Sequence, residues 1–90
     1  MTEYDPAKRD ECLQRRGLDM ADAATVFSGP VLTEEDQRFD YGEQRYLSVG
    51  FLIGRMVLIA WTPRGEGRRI ISMRKANGRE IARYGSRFST

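Results

Sequence analysis

The fold is decided by residues 68–80, which read RRIISMRKANGRE. The apolar residues between Arg68 and Arg74 indicate a buried strand. Asn77 is a good helix N-cap, and Glu80 stands three residues later, at the reciprocal position of a capping box. The segment therefore predicts a strand that leads directly into a basic C-terminal helix, which we expect to end near Tyr84, before a glycine.

Upstream of this segment the sequence has the pattern of further strands. A short strand is predicted at 31–33, followed by an acidic loop at 34–42. Residues 45–52 alternate in polarity, and residues 56–62 form an apolar run typical of a strand buried on both faces. Short connections at Gly54-Arg55 and at residues 63–67 join these strands. Because sequential strands joined by short turns pair antiparallel, we expect an antiparallel sheet of three to four strands.

Two helices are predicted before the sheet. Asp5-Pro6 is typical of a helix start, because Asp caps free amides and Pro suits the first helical turn. Gly17 is typical of a left-handed helix end, and Asp19 offers a second N-cap. The predicted class is therefore α+β, with two N-terminal helices, the antiparallel sheet and a C-terminal helix. We expect one helix-covered sheet face, in a single domain spanning residues 1–90.

The charge is divided unevenly along the chain. Residues 1–45 carry six basic and eleven acidic side chains, a net of −5, whereas residues 46–90 carry nine and two, a net of +7. This asymmetry indicates a surface that binds a polyanion or an acidic partner. The alternative is a solvated surface whose halves neutralise each other in the folded chain.

The residues available for chemistry are restricted. The chain has no histidine and one cysteine, Cys12, so no internal disulfide forms and no imidazole activates the thiol. Arginine, lysine and tyrosine remain, and these side chains suit phosphate recognition and phosphodiester chemistry. The most apolar run, 49–61, is interrupted by Arg55 and is too short to span a membrane. No N-terminal signal is visible, so we expect a cytoplasmic location.

Four stretches resemble the BrnT family of type II toxins, which share the small RelE-like ribonuclease fold. They are Tyr4–Lys8, Arg16–Leu18 with Ala23–Phe27, Gly42–Arg45 leading to Val49-Gly50, and Ile70–Ala76 followed by Glu80 and Tyr84. The chain departs from the family pattern at Arg16, where histidine is usual, and at Cys12, where asparagine is usual. The resemblance implies RNA cleavage that blocks translation, without a metal or other cofactor. It also implies an antitoxin of the ribbon-helix-helix type, through which alone operator DNA is bound.

The sequence offers two groups of candidate site residues for this function. The candidate catalytic residues are Arg45, Arg74, Lys75 and Tyr84. In this hypothesis Arg74 binds phosphate, Arg45 supports it, and Lys75 or Tyr84 shuttles the proton. The candidate RNA-binding residues are Lys8, Arg16, Arg79 and Arg83. The helix start after the strand is expected to add free amides that favour anions.

Several of these candidates also have a simpler interpretation. Arg45 is otherwise a solubility charge on an edge strand, Arg79 and Arg83 a solvated helix face, and Tyr84 a packing residue. Arg74 and Lys75 share a site only if the strand ends before them, since neighbouring strand residues point to opposite faces. At the level of the whole chain, the alternatives are a catalytically inactive module that binds RNA or a partner, and an unrelated α+β adaptor.

Overall fold

The computed structural model describes residues 2–37 and 42–88. Within them, all strands form one sheet in the order β1-β5-β4-β3-β2. The elements in chain order are β1 (Thr2–Tyr4), α1 (Pro6–Arg16), a 3-10 turn (Met20–Asp22), α2 (Ala23–Phe27), β2 (Leu32–Glu35), β3 (Tyr46–Leu52), β4 (Arg55–Arg64), β5 (Gly67–Lys75) and α3 (Gly78–Phe88). The α+β class is therefore confirmed.

The sheet has five strands and is mixed, so the prediction of three to four antiparallel strands is partly wrong. The missed strand is β1, which pairs parallel with β5 in the register Tyr4↔Ile70. All other neighbours in the sheet are antiparallel, as predicted. Three residues are too few to show an alternating pattern, and their pairing partner is 66 residues away in the chain. Local periodicity therefore carries no signal for β1.

Helices cover both faces of the sheet rather than the single face expected. On one face, Val57 and Ile59 of β4 pack with Met73 of β5 against α1, the 3-10 turn and α2. On the other face, Leu58 of β4 packs against Tyr84 of α3. Alternate residues of β4 thus enter different cores, which confirms that this strand is buried on both sides. We call these the α1 face and the α3 face.

The N-terminal helix has the predicted boundaries. The Asp5 side chain accepts a hydrogen bond from a first-turn amide of α1, and Gly17 ends the helix at φ 68°. Asp19 caps the following 3-10 turn and accepts two hydrogen bonds from the guanidinium of Arg9, at 2.7 and 2.8 Å. The bond from Arg9 lowers the pKa of Asp19 to about 2. This charged pair fixes α1 against the turn that follows it.

Several other boundaries differ from the predictions. The β3–β4 turn is formed by Ile53-Gly54 rather than Gly54-Arg55. Part of the predicted acidic loop, residues 34–35, belongs to β2, while residues 38–41 lie outside the described residues. Helix α3 continues past Gly85 to Phe88, because the Phe88 ring packs edge-on against Phe51 at a centroid distance of 4.9 Å. Tertiary contact here overrides the local stop signal.

The α1 face is closely packed where α2 crosses the sheet. A Cβ atom built on Gly50 of β3 would lie 2.6 Å from Cγ1 of Val26, so no larger residue fits there without a shift. Beside it, the indole nitrogen of Trp61 donates a hydrogen bond to the Ser48 hydroxyl at 2.8 Å. Trp61 also stacks on Tyr46 at a centroid distance of 4.9 Å. These contacts agree with a packing role for Trp61.

Candidate functional site

Arg74 is held rigidly at the junction of β5 and α3. Its Nη1 and Nη2 donate to the two carboxylate oxygens of Glu80, each at 2.7 Å. This bidentate pair lowers the pKa of Glu80 to about 2, with the hydrogen bond from Arg74 as the largest cause. The Arg74 side chain nevertheless remains 42% exposed. A guanidinium fixed in this way is a preorganised cation that still offers surface to a ligand.

The same carboxylate completes the predicted capping box, which is confirmed. The backbone amide of Asn77 donates to Glu80 Oε1 at 3.0 Å, and the amide of Glu80 donates to Asn77 Oδ1 at 2.9 Å. The Glu80 carboxylate therefore sits where an anion would approach the first turn of α3. The expected anion-binding role of this helix start is consequently weakened, since the chain supplies its own anion there.

A second cationic group lies between α1 and the edge of β5. Here an open cavity of about 220 Å³ is lined by five charged or hydroxyl-bearing side chains, those of Lys8, Glu11, Arg15, Arg16 and Ser72. Lys8 and Arg16 are both predicted RNA-binding residues, and the structure brings them to one cavity. Glu11, Arg15 and Ser72 were not predicted. Arg15 could have been predicted from the sequence, because it lies seven residues after Lys8 and therefore on the same face of the helix.

Arg16 reaches this cavity because the edge of β5 is unpaired there. β1 pairs only as far as Ile70. The backbone amide of Ala76 donates a hydrogen bond to the Met56 carbonyl of β4. Because hydrogen-bonded and non-hydrogen-bonded pairs alternate along an antiparallel ladder, Met73 belongs to a non-hydrogen-bonded pair, and its carbonyl points away from β4. That carbonyl accepts Nη1 of Arg16 at 3.1 Å and the thiol of Cys12 at 3.2 Å. Arg16 therefore also has a structural role, in satisfying the sheet edge.

The thiol of Cys12 belongs to the packing of this region. It is buried and belongs to the core of the α1 face. Burial raises the pKa of Cys12, against opposing effects of Arg16 and the Met73 carbonyl. A protonated thiol is a weak hydrogen-bond donor and a poor nucleophile. Cys12 therefore supports the position of α1 rather than supplying a reactive group.

Arg45 shares a sheet face with Arg74 but is not its neighbour in the sheet. Arg45 immediately precedes β3, so the alternation of that strand places it on the α3 face, the same face as Val49. Val49 pairs with Leu58 of β4, and Leu58 pairs with Arg74 of β5. Two strand spacings and four residues separate Arg45 from Arg74, or roughly 10 Å across and 13 Å along the sheet. Arg45 instead pairs with Glu43, at 3.3 Å. The backbone positions of the two arginines are therefore not adjacent in the sheet.

The two proposed proton shuttles lie apart from the cationic cavity. β5 extends through Lys75, which pairs with Val57, so Lys75 points to the face opposite Arg74. Tyr84 is only 5% exposed and packs in the core of the α3 face. Its ring lies 5.4 Å from the guanidinium carbon of Arg83. Both observations favour the simpler interpretation of Tyr84 as a packing residue.

Arg79 and Arg83 are exposed on α3, one helical turn apart. Neither lines the cavity between α1 and β5.

Within the described residues, no helix is long and apolar enough to cross a membrane. Nor does any group of three His, Cys, Asp or Glu side chains in 2–37 and 42–88 have an arrangement that would hold a metal ion.

Comparison with known families now bears on this geometry. Residues 4–80 match the model of the ribonuclease toxin BrnT of type II toxin–antitoxin systems. The chain belongs to the BrnT family. No curated protein matches the chain. The BrnT match includes Lys8, Arg16, Arg45 and Arg74, and it ends at Glu80, so Arg83 and Tyr84 lie beyond it.

Proposed function

We propose that this chain is an active endoribonuclease toxin, which cleaves RNA and so inhibits translation. A ribbon-helix-helix antitoxin neutralises it and provides its contact with operator DNA. The observation that carries the proposal is that two guanidinium groups are anchored at consecutive positions of β5. Arg16 is bound to the Met73 carbonyl at the open cavity that Lys8 also lines, and Arg74 is bound to Glu80 at the next strand position, on the opposite face of β5. BrnT membership supports the same reaction.

The proposed reaction is cleavage by the RNA's own 2′-hydroxyl. The 2′-oxygen forms a bond to phosphorus while the bond from phosphorus to the 5′-oxygen breaks, which leaves a cyclic 2′,3′-phosphate and a 5′-hydroxyl. Charge builds up on the phosphoryl oxygens in the transition state. Fixed cations stabilise that charge without reorganising, and arginine's planar fork matches two phosphate oxygens. Arg16 would supply this stabilisation at the cavity and Lys8 would hold a neighbouring phosphate, while Arg74 would bind a further phosphate of the same RNA.

The proton from the 2′-hydroxyl requires a base near these cations. Glu11 lines the same cavity as Lys8 and Arg16, and its carboxylate lies 3.4 Å from a guanidinium nitrogen of Arg15. Lys75 and Tyr84 are less well placed, because Lys75 does not line this cavity and Tyr84 is buried. We therefore assign Glu11 as the general base. A positioned base of this kind accelerates proton transfer by about 10²–10⁴-fold.

The test is expression from a tightly repressed promoter, with growth and RNA integrity as readouts. Wild type should arrest growth and fragment RNA. Arg16→Ala, Arg74→Ala and Glu11→Gln should relieve both at equal soluble protein, whereas Arg64→Ala should not. Arg64 is the matched control, since it is an exposed arginine paired with Glu3 at the other end of the sheet. Normal growth with intact RNA in wild-type cells would refute the proposal.

One observation favours a second candidate, a module that binds RNA without cleaving it. Arg16 occupies the position where histidine is usual in the resemblance, and its guanidinium is engaged by a backbone carbonyl. An arginine cannot donate or accept a proton as an imidazole does. RNA binding that weakens with salt, together with no cleavage by the purified chain, would support this second candidate over the first.

A further inference from the structure

Arg68 stands at the start of β5, on the α1 face of the sheet. It lies two residues before Ile70, which is buried in the core of that face, so strand alternation directs both side chains to the same side. The guanidinium carbon of Arg68 lies 4.0 Å from the ring centroid of Phe27 and 5.1 Å from that of Trp61. These two rings meet edge to face at 84°. The guanidinium therefore occupies a corner with two aromatic walls.

The hydrogen-bonding groups of the Arg68 side chain are not satisfied by the fold. The Nε atom is buried and has no hydrogen-bond partner. Among residues 2–37 and 42–88, the side chain forms no hydrogen bond or ion pair. The cation–π contacts stabilise the charge but leave the buried N–H group unpaired. An apolar side chain of similar shape avoids that loss of hydration. Packing alone therefore does not explain a cation at this position.

The nearest strand carries a carboxylate, but the fold directs it to a different arginine. Glu3 of β1 is in register with Arg69 and therefore shares the sheet face of Arg69. The Glu3 carboxylate lies 3.5 Å from Arg69 and 3.7 Å from Arg64. Arg68 is next to Arg69 in the strand and points to the opposite face. The sheet thus provides Arg69 with an internal anion and leaves Arg68 without one.

A guanidinium without an internal anion suits an oxyanion from outside the chain. Its planar fork matches two oxygens of a phosphate or of a carboxylate. The surrounding rings favour one of these ligands. Phe27 and Trp61 are partly exposed, and so is Tyr46, which stacks on Trp61 at a centroid distance of 4.9 Å. We call these three rings the aromatic row. Cations beside exposed aromatic rings are typical of sites for single-stranded nucleic acid, where phosphates meet the cations and bases stack on the rings.

Arg68 lies on the same strand as the wall of the cavity between α1 and β5. Ile71 and Ser72 of β5 line that cavity. At about 3.3 Å per residue, roughly 10–13 Å of strand separate them from Arg68. Sites for single-stranded nucleic acid commonly extend over several nucleotides. One RNA strand can therefore contact the cavity and Arg68 together.

We infer that Arg68 binds a phosphate of single-stranded RNA, and that a base next to this phosphate stacks on the aromatic row. The inference rests on the proposed function, because it takes RNA as the ligand. It extends the RNA surface from the cavity along β5 toward the start of the strand. Arg68 holds the strand at a distance from the reacting phosphate, so its role is in binding and not in the chemical step.

The experiment measures the affinity of the purified chain for a single-stranded RNA oligonucleotide whose 2′-oxygens are methylated. Such a probe has no 2′-hydroxyl to attack phosphorus and stays intact. Arg68→Met removes the charge and keeps an unbranched side chain against the rings. It should reduce the slope of log K against log salt by about 0.7, which is roughly a fivefold loss of affinity at 0.1 M salt relative to 1 M. Its melting temperature should equal or exceed that of wild type, because no unpaired donor is buried.

Arg64→Met is the matched control, because it removes the same charge from an exposed arginine that pairs with Glu3. Its salt slope should equal that of wild type. An unchanged slope for Arg68→Met would overturn the inference while leaving the proposed function intact, and a lowered melting temperature beside it would assign the cation to packing. Unchanged RNA affinity together with weakened binding of the antitoxin would also overturn the inference, in favour of a carboxylate of the partner. A wild-type chain with no salt-dependent affinity for the probe would overturn both.

Discussion

Replacing Glu80 with glutamine tests whether the ion pair at the β5–α3 junction holds the site together. The substitution keeps the length of the side chain and an oxygen acceptor for the Asn77 amide, and removes the charge that binds Arg74. Arg74 lowers the pKa of Glu80 from its ordinary value of 4.5 to about 2. At about 1.4 kcal/mol per pKa unit, linkage sets an upper limit of roughly 3.5 kcal/mol. Because the Arg74 side chain is 42% exposed, solvent screening should reduce the loss to about 1–2 kcal/mol.

The pH dependence has a defined sign. The pKa of Glu80 is lower in the folded chain than in the unfolded chain, so the pair stabilises the fold above pH 4.5. That stability is lost as the pH falls from 4.5 toward 2, where the carboxylate becomes protonated in both states. The difference in unfolding free energy between wild type and Glu80→Gln should therefore be largest near neutral pH and should shrink under acid.

Urea unfolding of both proteins from about pH 7 to about pH 3 measures this difference. Glu11→Gln is the matched control, because the pair of Glu11 with Arg15 is highly exposed and should contribute about 0–0.5 kcal/mol. A stability difference for Glu80→Gln that is the same at both ends of the pH range would refute the electrostatic argument. Reduced RNA cleavage by Glu80→Gln at equal folded fraction would additionally show that Arg74 needs its partner to be positioned.

Three further predictions concern packing and binding. Gly50→Ala should lower the unfolding free energy by about 1–3 kcal/mol, since its Cβ would lie 2.6 Å from Val26. Gly85→Ala, its matched control in open space, should raise it by about 0.5–1 kcal/mol; equal effects in chemical denaturation would contradict both assignments. Ser48→Ala should lower the unfolding free energy by about 1–3 kcal/mol, because it leaves the Trp61 indole N–H without its partner. The intrinsic fluorescence of this single tryptophan, followed during denaturant unfolding, measures the change. Lys8→Gln should reduce the salt slope of single-stranded RNA binding by about 0.7, and an unchanged slope would show that this lysine contacts no phosphate.

Local signals predicted the parts of the fold that local physics controls. Asn77 and Glu80 satisfy each other's amides within one helical turn, so their spacing alone identifies the start of α3. Gly17 likewise ends α1 because it adopts φ 68°, which glycine does at little cost. These interactions are complete within a few residues. For that reason they can be recognised without knowledge of the tertiary structure.

The missed features depend on contacts between distant residues. The pairing of β1 with β5 and the extension of α3 to Phe88 are both stabilised by partners far along the chain. The site shows the same division. Lys8 and Arg16 were predicted as RNA-binding residues, and they share a cavity. The hydrogen bond from Arg16 to the Met73 carbonyl could not be predicted, because it depends on where β1 stops along the edge of β5. Whether Arg74 and Lys75 share a face depended on where β5 ends, which composition does not specify.

The position of β5 in the chain affects when the candidate RNA surface can form during synthesis. That surface includes Lys8 and Arg16 of α1, which meet beside β5, and Arg74 of β5, which in turn needs Glu80. Ribosomes deliver α1 well before β5, and domains form stable tertiary structure only when their long-range contacts are available. A nascent chain that ends within β4 therefore has the helix but neither the sheet edge nor the fixed guanidinium of Arg74. The order of the elements thus delays assembly of the candidate RNA surface until synthesis has passed Glu80.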